Sequence, residues 1–272
     1  MPITQDPRSF GLGDFVVDEQ FYDQHVLQLA TLRMLAPPGW DVLPSEFDGR
    51  DRKWVTPAKY QGRCGSCWAH AAVGTMESRL LKEGYPAFDL SEQQQISCNT
   101  EMSGCCGGSG QSLMFFKTNR PWREQDVHYA ELETSCPSQR SKTCDDFPGV
   151  IGIGYLATGF YTVDRTVEAM KQSLLSDGPF YFRYDVYDDF YHYWSQGTSL
   201  DNYVQSSGGM LGGHAVLLIG WNDARNAWLL KNSWGPDTGP NKDGTFWIHY
   251  DGHANDLKIQ GFNLSGISAV KP

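Results

Sequence analysis

No uninterrupted apolar run in this 272-residue chain approaches the roughly 18–20 residues needed to cross a bilayer, so no transmembrane helix is expected. Basic residues are few: 22 Lys and Arg stand against 32 Asp and Glu, a formal net charge of −10. A sequence-wide basic footprint for nucleic acid is therefore absent, although a local patch stays open. Residues 1–20 lack a basic start followed by an apolar stretch. If the protein is exported, its signal is expected to lie outside this chain, and Met1 need not be the natural start. The first 42 residues lack cysteine. There is no internal repeat and no low-complexity segment. Disorder is excluded by what the chain does contain, 40% hydrophobic and 13% aromatic residues, which supply the apolar surface that offsets chain entropy. With 29 Gly, 14 Pro and 9 Trp the composition suits a loop-rich, strand-containing protein better than a helical bundle. The length allows one large domain or two lobes sharing a core.

Seven cysteines, at 64, 67, 98, 105, 106, 136 and 144, crowd the middle of the chain. An odd count in a disulfide protein leaves one thiol over, and such a thiol is a candidate nucleophile. A reduced chain with scattered buried cysteines is the alternative, and the clustering speaks against it.

Residues 18–35 carry apolar positions close to one helical face (Phe21, Tyr22, Val26, Leu29, Leu32, Leu35), and Pro37-Pro38-Gly39 stops any helix. This reads as an appended helix and an extended linker. Trp68–Lys82 reads as a helix rich in helix formers, with Gly84 just beyond. Ser91 opens a second with a capping-box pattern. Positions 98–110 form a glycine- and cysteine-dense loop, and Val163–Leu175 an amphipathic third helix ended by Asp177-Gly178-Pro179. Residues 180–186, 215–221, 227–231 and 245–250 read as strands. Helices first and strands after suggest an α+β protein with a helical lobe and a β-rich lobe.

Gln61–Ala69 reads QGRCGSCWA. Its CxxC alone could be half a zinc site or a redox pair. A zinc site wants a second ligand pair, and the adjacent Cys105 and Cys106 offer poor geometry for one. A redox site wants the motif after the first strand of a βαβ unit, which does not precede it here. The stronger reading places Cys67 at a helix N-terminus, where unpaired N–H groups favour a thiolate. Among seven histidines only His214 stands at the entry of a buried strand behind two glycines, in GGHAVLLIGW, where a substrate backbone could approach closely. His70, one turn after Cys67, is expected to pack in the core.

Together these stretches resemble the papain-like cysteine proteases. Cys64-Gly65-Ser66-Cys67-Trp68 matches the family's signature around its nucleophile, with His214 and Asn232 following downstream. The second half resembles cathepsin B through Gly178-Pro179, VYDDF at 186–190, GGHAVLLIGW at 212–221 and KNSWG at 231–235. The resemblance implies an α+β papain-like fold: a helical left lobe (about 43–155), a β-barrel-like right lobe (about 156–272), and the active site in the cleft between them. Residues 1–42 would be a propeptide-like extension preceding the peptidase domain. It also implies that Cys67 is the nucleophile, His214 the general base and acid, and Asn232 the group that orients the imidazole. Trp234 would shield that hydrogen bond, and Gln61 would offer its amide to the oxyanion. Gly107 and Gly108 would let an extended substrate pair edge-to-edge with the loop, and Gly213, with Gly212, would let its backbone approach closely. The family's disulfides suggest Cys64–Cys105 and Cys98–Cys136, with Cys106–Cys144 as a proposed third, in an oxidising compartment: secreted, periplasmic or lysosome-like.

The expected function is a cysteine endopeptidase working through a Cys67 thioester and made as a zymogen. A peptide ligase or acyltransferase and a catalytically inactive binding relative are the alternatives. No metal and no cofactor are expected. Expected partners are peptide or protein substrates and inhibitors of the cystatin type, with neither nucleic acid nor membrane, and a monomeric state. Several positions depart from the family pattern. Thr238 stands where relatives carry a second tryptophan, so the leaving-group side should be less aromatic. Residues 109–160 are too short for the histidine-bearing insertion of cathepsin B and lack a paired histidine, so endopeptidase action is expected. Arg183 falls where relatives line the pocket for the second residue before the cut. A guanidinium there would favour acidic or polar side chains, or else it pairs with Asp185 or another carboxylate at the surface. In the extension, the helix is expected to dock on the enzyme while the PPGW linker blocks or skirts the cleft.

Overall fold

The structure is a computed structural model that describes residues 7–35 and 42–270. Along the chain it holds α1 (Glu19–Gln24), β1 (Val26–Leu27), α2 (Leu29–Leu35), β2 (Glu46–Asp48), α3 (Cys67–Lys82), α4 (Glu92–Cys98), β3 (Tyr155–Ala157), β4 (Phe160–Val163) and α5 (Val167–Asp177). It continues with β5 (Phe180–Tyr187), α6 (Asp188–Gln196), β6 (Met210–Asn222), β7 (Ala227–Lys231), β8 (Thr245–His249), β9 (Gln260–Leu264) and β10 (Ile267–Ala269).

The fold is the expected mixture of helices and sheet in a papain-like arrangement, with one correction. Eight strands form one open sheet in the order β1-β4-β9-β5-β6-β7-β8, with β2 paired to β6, and not the barrel-like right lobe expected. Two aromatic-rich cores result. One lies within the sheet lobe around Phe182, Tyr184, Phe190, Trp221, Trp234 and Phe246. The other surrounds α3 with Trp68, Met76, Leu80, Leu113 and Phe116, and takes in Tyr181, Ala215 and Phe262 from the sheet. Strand alternation explains the sharing. Along β5, Phe180, Phe182, Tyr184 and Val186 enter the sheet core, so Tyr181, Arg183 and Asp185 face the other way.

α3 is buried from Cys67 to Leu80 and runs through the helical lobe. α4 starts where Ser91 accepts the N–H of Gln94 at 3.3 Å. α5 starts later than its apolar periodicity suggests. Thr166 caps it, and Val163 belongs instead to β4, because β4 pairs with β9 through that residue. The single helix expected over 18–35 is broken. α1 is capped by Asp18, the chain then extends as β1 to pair in parallel with β4, and α2 follows. A free edge strand competes better for Val26 and Leu27 than a continued helix does. Tyr22 and Leu32 from this segment are buried against the rest of the chain.

Cys64–Cys105 is closed, and Cys67 is the free cysteine. The other two pairings differ from expectation: Cys98 bonds Cys144 and Cys106 bonds Cys136, not Cys98–Cys136 and Cys106–Cys144. Three contacts decide this. Arg140 donates to the Met102 carbonyl at 3.2 Å, and Cys105 donates to Gln139, which lays 136–140 beside the Cys106 turn. Ser97 donates to the Lys142 carbonyl at 2.8 Å, which brings Cys144 to the end of α4.

Candidate active site

Cys67 opens α3 in a fully buried position. Its sulfur faces the backbone N–H groups of Trp68 in its own first turn, of Ala215 in β6, and of Gly13 in the extension. The Ala215 contact places the thiol at the step after His214. His214 donates its Nε2–H to the Asn232 side-chain oxygen at 2.8 Å, and its Nδ1 has no hydrogen-bond partner. Trp234 lies 4.9 Å from the imidazole at 35° and is itself fully buried, so the His214–Asn232 bond is kept from water. Ser233 donates its N–H to the same Asn232 oxygen at 2.8 Å and its hydroxyl to the Gln61 Oε1 at 2.7 Å. One short segment, 232–234, thereby holds the imidazole and fixes the Gln61 amide with its NH₂ outward. Sequence reasoning did not single out Ser233; its place inside KNSWG is the signal that could have.

His70 takes the core position expected of it. Its Nδ1 meets the Ser66 carbonyl at 3.0 Å, and burial pushes its pKa down to about 3.

Among the described residues the cleft is occupied by the chain itself, though not by the helix. Pro37–Trp40 lies outside the described residues. The occupant is upstream, Phe10 to Phe15. Phe10 stacks on Trp234 at 4.9 Å and 13°. The Gly11 carbonyl accepts the Gln61 Nε2–H at 2.8 Å. Gly13 meets the Cys67 sulfur and accepts the N–H of Gly108 at 2.9 Å. Asp14 donates to the Gly213 carbonyl at 3.0 Å, and Phe15 to the Gly108 carbonyl at 2.8 Å, in a parallel bridge. Added as a short strand, the segment takes main-chain bonds from the sheet-like edge. Glycine is needed where it threads: a Cβ on Gly13 would stand 2.1 Å from the Gly65 carbonyl oxygen, and one on Gly11 2.5 Å from the Arg63 carbonyl oxygen. Gly107, at φ +125°, turns the loop that presents Gly108. The Gly11-x-Gly13-Asp14 spacing in a segment lacking other strand signals was the missed cue.

The leaving-group side is aromatic despite Thr238. Tyr191 stacks on Trp234 at 5.8 Å, Trp194 meets it edge-on at 5.2 Å, and Thr238 only bonds the Trp234 and Gly235 carbonyls. Arg183 is buried, not at the surface. It contacts Asp185 at 2.5 Å and Asp14 at 3.5 Å, and Tyr181 donates its hydroxyl to Asp14.

Burial, aided by the nearby Asp14 carboxylate, pushes the Cys67 thiol up to about 12. Burial pushes His214 down to about 4, against the Asn232 hydrogen bond. Thiol and imidazole are both neutral, the opposite of the ion pair that nucleophilic attack requires. Asp14 is itself raised to about 7, by burial above all, against Arg183 and Tyr181 and with a further push from Asp185.

Comparison with known proteins agrees with this geometry. Residues 43–266 match the family model of the papain family cysteine proteases. Cathepsin B-like CP1 of Giardia intestinalis is 35% identical over 209 residues, covering 74% of this chain and 67% of that protein. A viral cathepsin of Heliothis zea nuclear polyhedrosis virus is 33% identical over 205 residues, covering 73% of this chain and 51% of its own length. This chain thus spans between about half and two thirds of these relatives. Among solved structures, procathepsin B S9 from Trypanosoma congolense superposes with a TM-score of 0.75 at 19% identity, over 95% of this chain and 87% of that one. The digestive procathepsin L2 of Tenebrio molitor gives 0.69 at 22%, over 96% and 79%. At these identities the two structures speak for the fold alone. The sequence matches and the fold together place this chain in the papain family of cysteine proteases.

Proposed function

We propose that this chain is a cysteine endopeptidase held as a zymogen by its first 42 residues. The observation that carries the reading is the convergence of the Cys67 thiol, the Asn232-held His214 and the Gln61 amide on one line of cleft, with a peptide segment already lying along it. With the segment gone, water and the helix N-terminus favour the charged pair: the thiol proton passes to His214, whose free Nδ1 is the acceptor. The thiolate attacks the substrate carbonyl carbon. The oxyanion takes the Gln61 amide and the Cys67 backbone N–H, one such donor being worth roughly 10²–10³ in rate. His214 returns its proton to the departing amine, leaving a thioester. Water, deprotonated by His214, then releases the acid and restores the thiol.

The docked segment is bound without offering a bond to this chemistry. The sulfur meets the N–H of Gly13, while the Gln61 amide holds the oxygen of Gly11. The two contacts that must converge on one carbonyl are spread over two residues. Three disulfides support a secreted or lysosome-like compartment. No helix among the described residues is long and apolar enough to cross a membrane.

The test is hydrolysis of internally quenched peptides with blocked C-termini by the 1–272 and 43–272 forms, with Cys67→Ser as control. The reading expects cleavage by the shorter form, little by the longer, and none by the variant. Release of dipeptides from free C-termini alone would replace endopeptidase by exopeptidase, and equal activity of the two forms would remove the zymogen.

A further inference from the structure

Beside the candidate catalytic residues, the cleft holds a buried cluster of ionisable groups. Tyr181, Arg183 and Asp185 share a face of β5, and Asp14 from the extension lies against them with its carboxyl fully buried. Arg183 is anchored from behind: Nη1 donates to the Leu257 and Lys258 carbonyls at 3.3 and 3.0 Å, and Nη2 contacts Asp185 at 2.5 Å. Its Nε has no hydrogen-bond acceptor, and the Asp14 carboxylate, 3.5 Å away, is the group it faces. The Tyr181 hydroxyl likewise donates to Asp14. Departure of the extension therefore leaves two inward-facing donors, a phenol and a guanidinium N–H, that the peptidase domain does not satisfy.

The position of this pocket follows from the backbone. Gly13 lies at the sulfur, and Asp14, the next residue along, is the one bridged to Gly108. A substrate with its acyl carbon at the sulfur and its chain along the same loop sets its second residue before the cut opposite Gly108. Resting on the peptidase reading, we propose that this pocket selects a side chain bearing a carboxyl or amide oxygen, aspartate foremost, at that second position. The Tyr181 hydroxyl and Arg183 Nε are its specificity-determining donors, and Asp14 is the chain's own stand-in for the substrate residue. An aliphatic or aromatic side chain would seal both donors from water unpaired, which is costly.

Charge balance sets the pH behaviour. Asp185 already neutralises Arg183, so a second carboxylate leaves the enclosed cluster with one excess negative charge, close to the Cys67 thiol. A carboxyl there holds a proton more readily than in water, in line with the raised Asp14. An aspartyl substrate is therefore favoured in acid, whereas its asparaginyl counterpart accepts from the same donors at any pH.

The experiment takes the full chain, counts its open sites by thiol-directed epoxide labelling of Cys67, and offers blocked peptides differing only in Asp, Asn, Leu or Phe at the second residue before a common cut. At pH 5, kcat/KM per open site is expected to be at least about tenfold higher for Asp and Asn than for Leu and Phe. At pH 8 the Asp peptide falls about tenfold relative to Asn. Tyr181→Phe lowers the Asp and Asn values and spares Leu; the paired change Arg183→Met with Asp185→Leu, which removes both charges together, does the same. Preference for Leu or Phe, or a profile that Tyr181→Phe leaves unaltered, overturns the proposal while the peptidase reading stands. Absence of both labelling and cleavage with every peptide, in the full chain and equally after a cut near Leu43 and dilution, overturns the peptidase reading and the proposal with it.

Discussion

Gln61 donates its side-chain amide to the carbonyl oxygen of Gly11 at 2.8 Å, so the group expected to receive the oxyanion is filled by the chain's own extension. The contacts of Phe10, Gly13 and Asp14 run along the same track, from Trp234 past the sulfur to Gly108.

That track has no room for a side chain at position 13. Gly13→Ala sets a methyl 2.1 Å from the Gly65 carbonyl oxygen, which is backbone and cannot swing aside. The strand is expected to leave the cleft. Iodoacetamide labelling of Cys67 in the full chain at pH 6 should then accelerate by about tenfold or more. An unaltered rate would mean that the segment does not govern access.

Docking of the extension should depend on pH through Asp14, whose carboxyl is raised from an ordinary 3.8 to about 7, chiefly by burial. A carboxyl raised in the docked state contributes most to docking below its free value, less as pH rises through the window between, and nothing above about 7. Each unit across that window should weaken docking by up to about tenfold. Asp14→Asn removes the proton. The ratio of Cys67 labelling, native over Asp14→Asn, should therefore climb between pH 4 and pH 7 and level off beyond. A flat or falling ratio contradicts the assignment.

Truncating the two amides should damage turnover and not binding. Gln61→Ala is expected to lower kcat of the 43–272 form by roughly 10²–10³ with KM nearly unchanged. Asn232→Ala frees the imidazole to rotate and also strips Ser233 of its acceptor, so a loss of the order of 10² is expected, with some loss of stability. A rise in KM with kcat intact would reassign both residues to substrate binding.

Disulfide connectivity can be read directly. A non-reducing peptide map should return Cys98 with Cys144 and Cys106 with Cys136. Because Cys106 adjoins Gly107 and Gly108, Cys106→Ser with Cys136→Ser should raise KM more than it lowers kcat. Recovery of Cys98 joined to Cys136 would overturn the arrangement.

The parts legible in the sequence were those written in local chemistry. Cys67 at a helix start and His214 at the head of an apolar strand could be read from neighbouring residues, and Asn232 and Gln61 from spacing relative to a family pattern. What escaped depended on contacts between distant segments. Nothing near Cys106 says that Arg140 and Gln139 will lay Cys136 beside it. Nothing near Val26 announces a free edge at β4. Arg183 was open to a pocket or a surface reading because strand alternation gives the face but not what lies against it. Asp14, 169 positions upstream of Arg183, was invisible until the fold set the two side by side.

The anchors of the extension lie between the cleft strand and the expected processing point. Tyr22 is buried, Val26–Leu27 is paired with β4, and Leu32 is enclosed, with its carbonyl accepting the Ser176 hydroxyl at 2.9 Å. A cut near Leu43 disturbs none of these. It converts a tethered blocker, whose effective concentration is of the order of millimolar or higher, into a separate tight-binding peptide. Dilution, or destruction of the freed peptide, should then set the pace at which activity emerges. Nicked protein ought to gain specific activity as it is diluted from micromolar to nanomolar, whereas the uncut chain ought to be indifferent to concentration.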